Sequence, residues 1–381
     1  MPISIGTRAL LALTVGGLTA AAHAQAQAQQ SPAVTVSALR RVPAETTAAA
    51  YVDKSWRPPR TSWGHPSFEG AWSTDDFRGV PVTRPRDQGT RTSLTPEEFA
   101  KRAQEIESGR DFAVNVGTFL RHEFGLRTFG YTSMIVDPPD GQLPALTPAA
   151  EAAARAQTRG TFGPGPFDTL DDFSLYDRCI TRGVIGSLLP VIYGNGLRIT
   201  QNPESVAISY EMIHDTRVIP LDGRPALDSG IRQWMGSSRG RFEGDTLVID
   251  TTNFTDRTSV GSNGGGVPNT EQLKLTERLT RIDPAMIEYV ATVEDPGAFT
   301  APWSLRVMIT SRPGYEVFEY SCHEGNGAVS HSLSGERVYE RQVAEAKAKG
   351  LPPPARATNH EQIRNGVPGE GQRYFDINAG E

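Results

Sequence analysis

Residues 273–293 read LKLTERLTRIDPAMIEYVATV, and the pattern of this stretch indicates the fold class. Leu273–Arg281 and Ile287–Val293 both follow the period of two that half-buried β-strands show. Asp283-Pro284 between them is a turn signal. The stretch therefore predicts an antiparallel hairpin, and the same pattern recurs through the second half of the chain.

The neighbouring runs of this kind are separated by turns rich in Gly, Asp and Pro. The further predicted strands are Ser67–Trp72, Leu188–Ile192, Leu197–Thr200, Val206–Ile213, Arg217–Leu221, Ile231–Met235, Thr246–Thr251, Leu305–Ile309 and Val317–Ser321. Many short strands at this spacing are typical of an antiparallel barrel or sandwich, and successive hairpins favour an up-and-down meander. The predicted fold class is mainly β: a lipocalin-like antiparallel barrel or a strongly curved meander sheet.

A few peripheral helices are predicted, mainly in the first half. Thr95-Pro96-Glu97-Glu98 combines a capping threonine, proline at the first helical position and a glutamate three residues after the cap, so a helix is expected to begin there and to reach about Ser108. Further helices are expected at 111–121, 147–158 and 334–349.

The N-terminus has the pattern of an export signal. Arg8 precedes an apolar run, Ala9–Ala22, and Ala22-His23-Ala24 fits the small-x-small cleavage pattern. The run is too short to span a bilayer, which takes roughly 20 apolar residues. We expect a cleaved signal peptide and a periplasmic or secreted protein. The predicted division is 1–24 signal peptide with cleavage near Ala24, 25–60 flexible leader, 61–350 one β-rich domain (helical insertions about 95–160, strands about 188–322) and 351–381 extended tail.

Charge and motifs exclude several classes of binding partner. The 381 residues carry a formal net charge of -6 and have no basic block, which argues against nucleic acid and anionic membrane surfaces. Tyr193-Gly194-Asn195-Gly196 lacks the third glycine of a dinucleotide site, and His122-Glu123 lacks the second histidine of a zincin. We expect no cofactor, no metal and no stable membrane insertion, with a small molecule as ligand or substrate.

The chain has two cysteines, Cys179 and Cys322. In an oxidising compartment an even pair favours one disulfide. Two buried free thiols or a catalytic cysteine are the alternatives.

Gly236-Ser237-Ser238-Arg239-Gly240 matches the nucleophile pattern of α/β hydrolases. That chemistry needs a tight turn from a strand into a helix, and here a strand, Thr246–Thr251, follows. Serine hydrolase chemistry is therefore not expected, and the small residues are predicted to form a bend between strands.

Two polar blocks stand at predicted strand ends, where side chains converge on a barrel mouth. Glu211–Arg224 contains Glu211, His214, Asp215, Arg217 and Arg224; Tyr320–Asn326 contains His323 and Glu324. A histidine beside a carboxylate can act as a general acid or base near neutral pH, and arginine binds carboxylates or phenolates in a bidentate manner. Candidate catalytic residues are His214, His323, Glu324 and Asp215; candidate substrate-binding residues are Arg217, Arg224, Glu211 and Trp234. For each of these a purely structural role is the alternative.

The chain resembles a large family of secreted bacterial proteins of unsettled function. The resemblance rests on the segment Trp234–Phe254, in which Phe242 replaces the usual tryptophan, and on Val136–Gly141, Asp177–Cys179, Glu211–Arg224, Glu294–Pro296 and Tyr320–Asn326. Gly70-x-Trp72 ahead of a strand meander is also similar to lipocalin-like barrels, which implies a cup for a small apolar or aromatic molecule.

These observations predict an exported, cofactor-independent enzyme of lyase, dehydratase or isomerase type. It would act by general acid–base catalysis on a small aromatic or apolar molecule in a barrel cavity. A periplasmic lipocalin-like carrier without catalysis is the main alternative, and a structural envelope protein is a third.

Overall fold

A computed structural model describes residues 53, 55–115, 125, 127–156, 166–191, 193–261, 266–311 and 314–355. All of them belong to one compact unit. The predicted signal peptide, most of the leader, residues 116–121 of the second predicted helix and the tail beyond residue 355 lie outside the described residues.

Strands dominate the described part of the chain. They are β1 Gly70–Ser73, β2 Ile135–Asp137, β3 Gly196–Gln201, β4 Ser205–Tyr210, β5 Thr216–Pro220, β6 Ser237–Glu243, β7 Thr246–Thr252, β8 Ser259–Val260, β9 Val267–Pro268, β10 Lys274–Asp283, β11 Met286–Glu294 and β12 Trp303–Thr310. Ten of these described strands form one antiparallel sheet, and β8 and β9 form a separate pair. The predicted mainly β antiparallel fold is confirmed.

Three helices accompany the sheet in the described residues: α1 Pro96–Asn115, α2 Pro148–Ala156 and α3 Ala328–Ala348. The predicted cap of α1 is present, because Glu98 N donates to Thr95 Oγ1 (3.3 Å) and Thr95 N donates to Glu98 Oε2 (2.7 Å). Thr147 caps α2 by accepting from Ala150 N (3.1 Å). The first helix continues past the predicted end at Ser108, so it includes the start of the second predicted helix.

The sheet follows the order β5-β4-β3-β1-β12-β11-β10-β7-β6, with β2 added on β12. Its two edge strands, β5 and β6, face each other through side chains and form no hydrogen-bonded ladder. A Cβ on Gly240 of β6 would meet Ile219 of β5 at 2.8 Å. The sheet is thus an open barrel whose seam is packed by side chains.

The end of the barrel at the β6–β7 turn is covered by aromatic rings. The Arg281 guanidinium lies 5.2 Å from the ring of Trp72 and 6.0 Å from that of Trp56, and it donates to Ser67 O (2.9 Å). Trp72 Nε1 donates to Phe68 O (2.9 Å). Cation–π contacts of this kind add to burial in stabilising the packing.

Three predicted strands are wrong. Residues 188–191 and 317–321 form no strand, and 231–235 are irregular apart from a bridge between Gln233 and Phe254. Residues 188–191 are buried, so their apolar side chains reflect packing in the core and not pairing in a β-sheet. The predicted bend at 236–240 is also wrong, because Ser237–Glu243 is the edge strand β6.

Among the described residues, no helix is long and apolar enough to cross a bilayer.

Candidate functional site

The interior of the barrel holds a buried ion pair. Arg217 of β5 donates from Nη2 to Glu277 Oε2 (2.6 Å) and from Nη1 to Glu277 Oε1 (3.0 Å). Tyr289 Oη donates to Glu277 Oε1 (3.1 Å), and Arg217 also reaches Tyr210 Oη (3.3 Å) and Ser238 Oγ (3.1 Å). Burial alone would lower the pKa of Arg217, but the Glu277 carboxylate outweighs it and raises that pKa well above its ordinary value. The guanidinium expected to bind a ligand anion is therefore engaged by a carboxylate of the chain itself.

Ser238, the central residue of the hydrolase-like pattern, is part of this network. It lies in β6 and also bonds Thr251 Oγ1 (3.0 Å). No strand-to-helix turn presents its hydroxyl, so the arrangement lacks the geometry of a hydrolase nucleophile.

Trp234 is half-buried and lines a cavity of about 10 Å³ together with Val184, Ile185, Phe254 and Leu275. That volume suits a single water molecule, whereas pockets for small molecules measure several hundred Å³. In the described residues the Arg217–Glu277 pair and apolar side chains lie inside the barrel, and the predicted ligand cavity stays a prediction.

The turn between β4 and β5 is backbone-strained. Ile213 (φ 68°) and His214 (φ 52°) are consecutive non-glycine residues in the left-handed region. Such conformations cost on the order of 1 kcal/mol each and persist where surrounding contacts hold them. His214 is exposed on this turn, while Ile213 is buried beneath it.

Carboxylates flank the strained turn on both sides. The buried Glu211 accepts a hydrogen bond from the Tyr315 hydroxyl. A side chain at Gly196 would collide with both groups, so the pair requires glycine there. Asp215 Oδ2 accepts from Thr181 Oγ1 (2.8 Å), which ties the turn to the chain before β3.

The segment 314–327 lies against this turn and has no regular secondary structure before α3. We call it the strap. Tyr320 and Cys322 of the strap pack against the apolar cluster that contains Met212 and Ile213. The two polar blocks singled out in the sequence are thus brought together, although through their apolar members. His323 and Glu324 are exposed in the strap.

A disulfide joins the strap to the chain before β3. Cys179 and Cys322 have an Sγ–Sγ distance of 2.03 Å, which confirms the predicted pair. Asn326 Nδ2 reinforces this connection by donating to Asp177 O (3.1 Å).

Arg224 lies apart from the turn. It pairs with Asp222 in the exposed loop after β5, at the opposite end of that strand from His214. Hydrogen bonding by the Asp222 carboxylate raises the pKa of Arg224.

Sequence reasoning missed a cluster of tyrosines around Arg182, which we call the tyrosine–arginine cluster: Tyr176, Arg182, Tyr193 and Tyr320. The rings of Tyr193 and Tyr320 stack with centroids 6.4 Å apart. Burial raises the pKa of Tyr176 far above its ordinary value, and Tyr193 and Tyr320 raise it further. The available signal was a lone cation, Arg182, in the otherwise apolar and small-residue stretch 179–191.

Arg182 itself is 2% exposed. Its Nη2 donates to Leu189 O (3.1 Å), and its Nε has no hydrogen-bond partner. Desolvation lowers the pKa of Arg182 to about 10, and the groups that partly offset this are tyrosines, Tyr176 first, rather than carboxylates. A buried cation without a carboxylate partner is energetically unfavourable unless something else compensates it.

Comparison with known proteins adds little to this geometry. No family model matches the chain, and no curated protein matches it. Among solved structures, the chain is similar to a single-residue mutant of the fluorescent protein UnaG, with 14% sequence identity, coverage of 37% of this chain and 86% of that chain, and a TM-score of 0.19. A similarity at that level supports no functional conclusion.

Proposed function

We propose that this chain is an exported, cofactor-independent enzyme that carries out general acid–base chemistry on a small aromatic or apolar molecule. The reaction class is that of a lyase, dehydratase or isomerase. The active site is the end of the barrel formed by the β4–β5 turn, the strap and the tyrosine–arginine cluster. Export, and membership of the secreted bacterial family that the sequence resembles, are part of this proposal.

The observation that carries the proposal is the strained Ile213–His214 turn. It holds an exposed histidine between two anchored carboxylates, Glu211 and Asp215. Backbone strain of this kind concentrates at functional sites because surrounding contacts must hold it. Histidine exchanges protons near neutral pH, so His214 is the proton-transfer residue of the proposal and Asp215 helps to fix its turn.

The same surface also favours a second candidate function, a carrier without catalysis. Phe318 in the strap is 57% exposed, and its ring stands edge-on to that of Tyr315, with centroids 6.1 Å apart. With Tyr193 and Tyr320 it offers aromatic surface to a ring-containing ligand.

One experiment separates the two functions. The purified chain is incubated with a pool of small aromatic metabolites, and the pool is followed by untargeted mass spectrometry against a His331→Ala control, since His331 is an exposed histidine on α3. An enzyme converts one compound into a product of altered mass or retention time in both proteins. A carrier retains one compound of the pool unchanged. If no compound is converted and none is retained, both functions are contradicted.

A further inference from the structure

We propose that the tyrosine–arginine cluster is a binding site for a small aromatic carboxylate, whose anionic group pairs with Arg182 and whose ring stacks on the tyrosines. This deepens the function proposed above, on which it rests, by naming the chemical class of the ligand.

Two buried arginines differ in whether a carboxylate pairs with them. Arg217 is 4% exposed and has a bidentate carboxylate partner, Glu277, while Arg182 is 2% exposed and has no ion pair among the described residues. Both arginines leave Nε without a hydrogen-bond partner, so the difference between them is the carboxylate that Arg217 has and Arg182 lacks. Removing a cation from water without a counter-charge is unfavourable, so the cluster is electrostatically suited to receive an anion.

A carboxylate is the anion that fits the donors of the cluster. The planar guanidinium presents parallel N–H donors that match the two oxygens of a carboxylate. Tyrosine hydroxyls donate hydrogen bonds to the same kind of oxygen. Burial, together with Tyr193 and Tyr320, raises the pKa of Tyr176, so its hydroxyl stays protonated at neutral pH.

An aromatic ring suits the partly exposed side of the cluster. Tyr193 and Tyr320 are stacked and only partly buried, and Tyr320 belongs to the strap. Aromatic pairs favour rings at such spacings, so a planar ring attached to the carboxylate gains contact that an aliphatic chain does not. The strap that carries Tyr320 is anchored through Cys322, Asn326 and Tyr315. An aromatic carboxylate can therefore pair with the Arg182 charge and stack on the tyrosine rings.

The test uses the full chain with benzoate as probe and benzamide as its neutral isostere, measured by isothermal titration calorimetry. We expect benzoate to bind at least ten-fold more tightly than benzamide. Ring signals of Tyr176, Tyr193 and Tyr320 in tyrosine-labelled protein should shift on addition of benzoate. Equal affinity for the two probes, no binding of benzoate, or shifts confined to other tyrosines would overturn the proposal without any variant being needed.

Arg182→Met then assigns the anion contact, with Arg178→Met as the matched control, because Arg178 lies in the same segment and is already paired with Asp171 (3.2 Å). Benzoate affinity should fall at least ten-fold in Arg182→Met and stay within two-fold of wild type in Arg178→Met. If Arg182→Met does not fold, Tyr320→Phe, at a partly exposed position, replaces it and should weaken benzoate binding several-fold. Unchanged affinity in the variant used contradicts the site.

Failure of the carboxylate site and failure of the enzyme proposal give different results. Turnover that requires His214, in a protein that ignores benzoate, would overturn the carboxylate site alone. Benzoate binding through Arg182, in a protein that converts no compound, would overturn catalysis alone.

Discussion

Arg217 on β5 and Glu277 on β10 meet inside the barrel as a bidentate ion pair, with N–O distances of 2.6 and 3.0 Å. Each side chain is at most 3% exposed. The two strands are not neighbours in the sheet, because β10 lies two strands from β6 and β5 forms the other edge. The pair therefore spans the interior and links the edge strand β5 to β10.

Breaking this pair by one substitution should destabilise the fold strongly. Glu277→Gln leaves the Arg217 charge buried without a counter-charge, and such changes cost about 3–5 kcal/mol in the free energy of unfolding. The double variant Arg217→Met/Glu277→Gln should recover part of that loss. Urea unfolding measures all three proteins.

The matched control is Glu294→Gln, which breaks an exposed pair with Lys274 (3.3 Å) between β10 and β11. Exposed pairs contribute at most about 1 kcal/mol. A Glu277→Gln protein as stable as the Glu294→Gln protein would contradict the role of the interior pair.

Stability should decline in alkaline solution above about pH 10. Burial, and then the Glu277 carboxylate, raise the pKa of Tyr289 well above the ordinary 10.0, and burial also raises that of Tyr210. Above pH 10 the unfolded chain loses phenolic protons that the folded chain retains. The unfolded state then binds fewer protons, so the stability contribution is complete below pH 10 and is lost as the pH rises.

Thermal unfolding between pH 8 and pH 11 measures this decline, with an expected plateau followed by a falling Tm. Tyr289→Phe removes one of the buried phenols and should flatten the fall. Tyr339→Phe, on the surface helix α3, should leave it unchanged. A Tm that rises above pH 10, or a fall of the same slope in Tyr289→Phe, is the opposing result.

The strain at His214 predicts a reversed preference between glycine and alanine. At φ 52° glycine is free of the steric cost that a Cβ imposes, so His214→Gly should be more stable than His214→Ala by about 1 kcal/mol. Val218 supplies the control, since it is 61% exposed in β5 and carries ordinary strand geometry. Val218→Gly should be less stable than Val218→Ala. If the glycine variant is the less stable of the two at position 214 as well, strain at the turn is ruled out.

Removing the disulfide should cost substantial stability and loosen the strap. Cys179 and Cys322 close a loop with a sequence separation of 143, for which the chain-entropy argument gives about 5 kcal/mol. The double variant Cys179→Ala/Cys322→Ala should have a free energy of unfolding lower than that of the wild type by up to about 5 kcal/mol. Hydrogen exchange in residues 314–327 should rise more than in β10 and β11. Equal protection of the strap in both proteins would show that its other anchors suffice.

Sequence periodicity predicted the strands that carry an apolar face, such as β7, β10 and β11, because one side of each is buried. It missed β6, whose start, Ser237–Gly240, contains only small and charged residues. That strand is an edge whose inward positions pack against Arg217 and Ile219, so its burial depends on β5 rather than on its own hydrophobicity. Conversely, the apolar run at 188–191 is buried without strand pairing.

The candidate site was only partly predictable for a related reason. Glu211, His214 and Asp215 are close together in sequence, so their shared turn could be anticipated. Two cysteines in a chain that we expected to be exported favoured the disulfide. The environment of Arg182 depends on Tyr320, far along the chain, and its distinguishing property is a missing counter-charge. No local pattern encodes that property.

The most direct test of the proposed active site is the turnover of a confirmed substrate by His214→Ala and His323→Ala, each compared with wild type and with His331→Ala. Loss of a positioned general acid or base lowers kcat by about 10²–10⁴-fold. We predict that kcat falls by at least 10²-fold in His214→Ala while His331→Ala retains the wild-type rate. Wild-type turnover by both His214→Ala and His323→Ala would contradict the account.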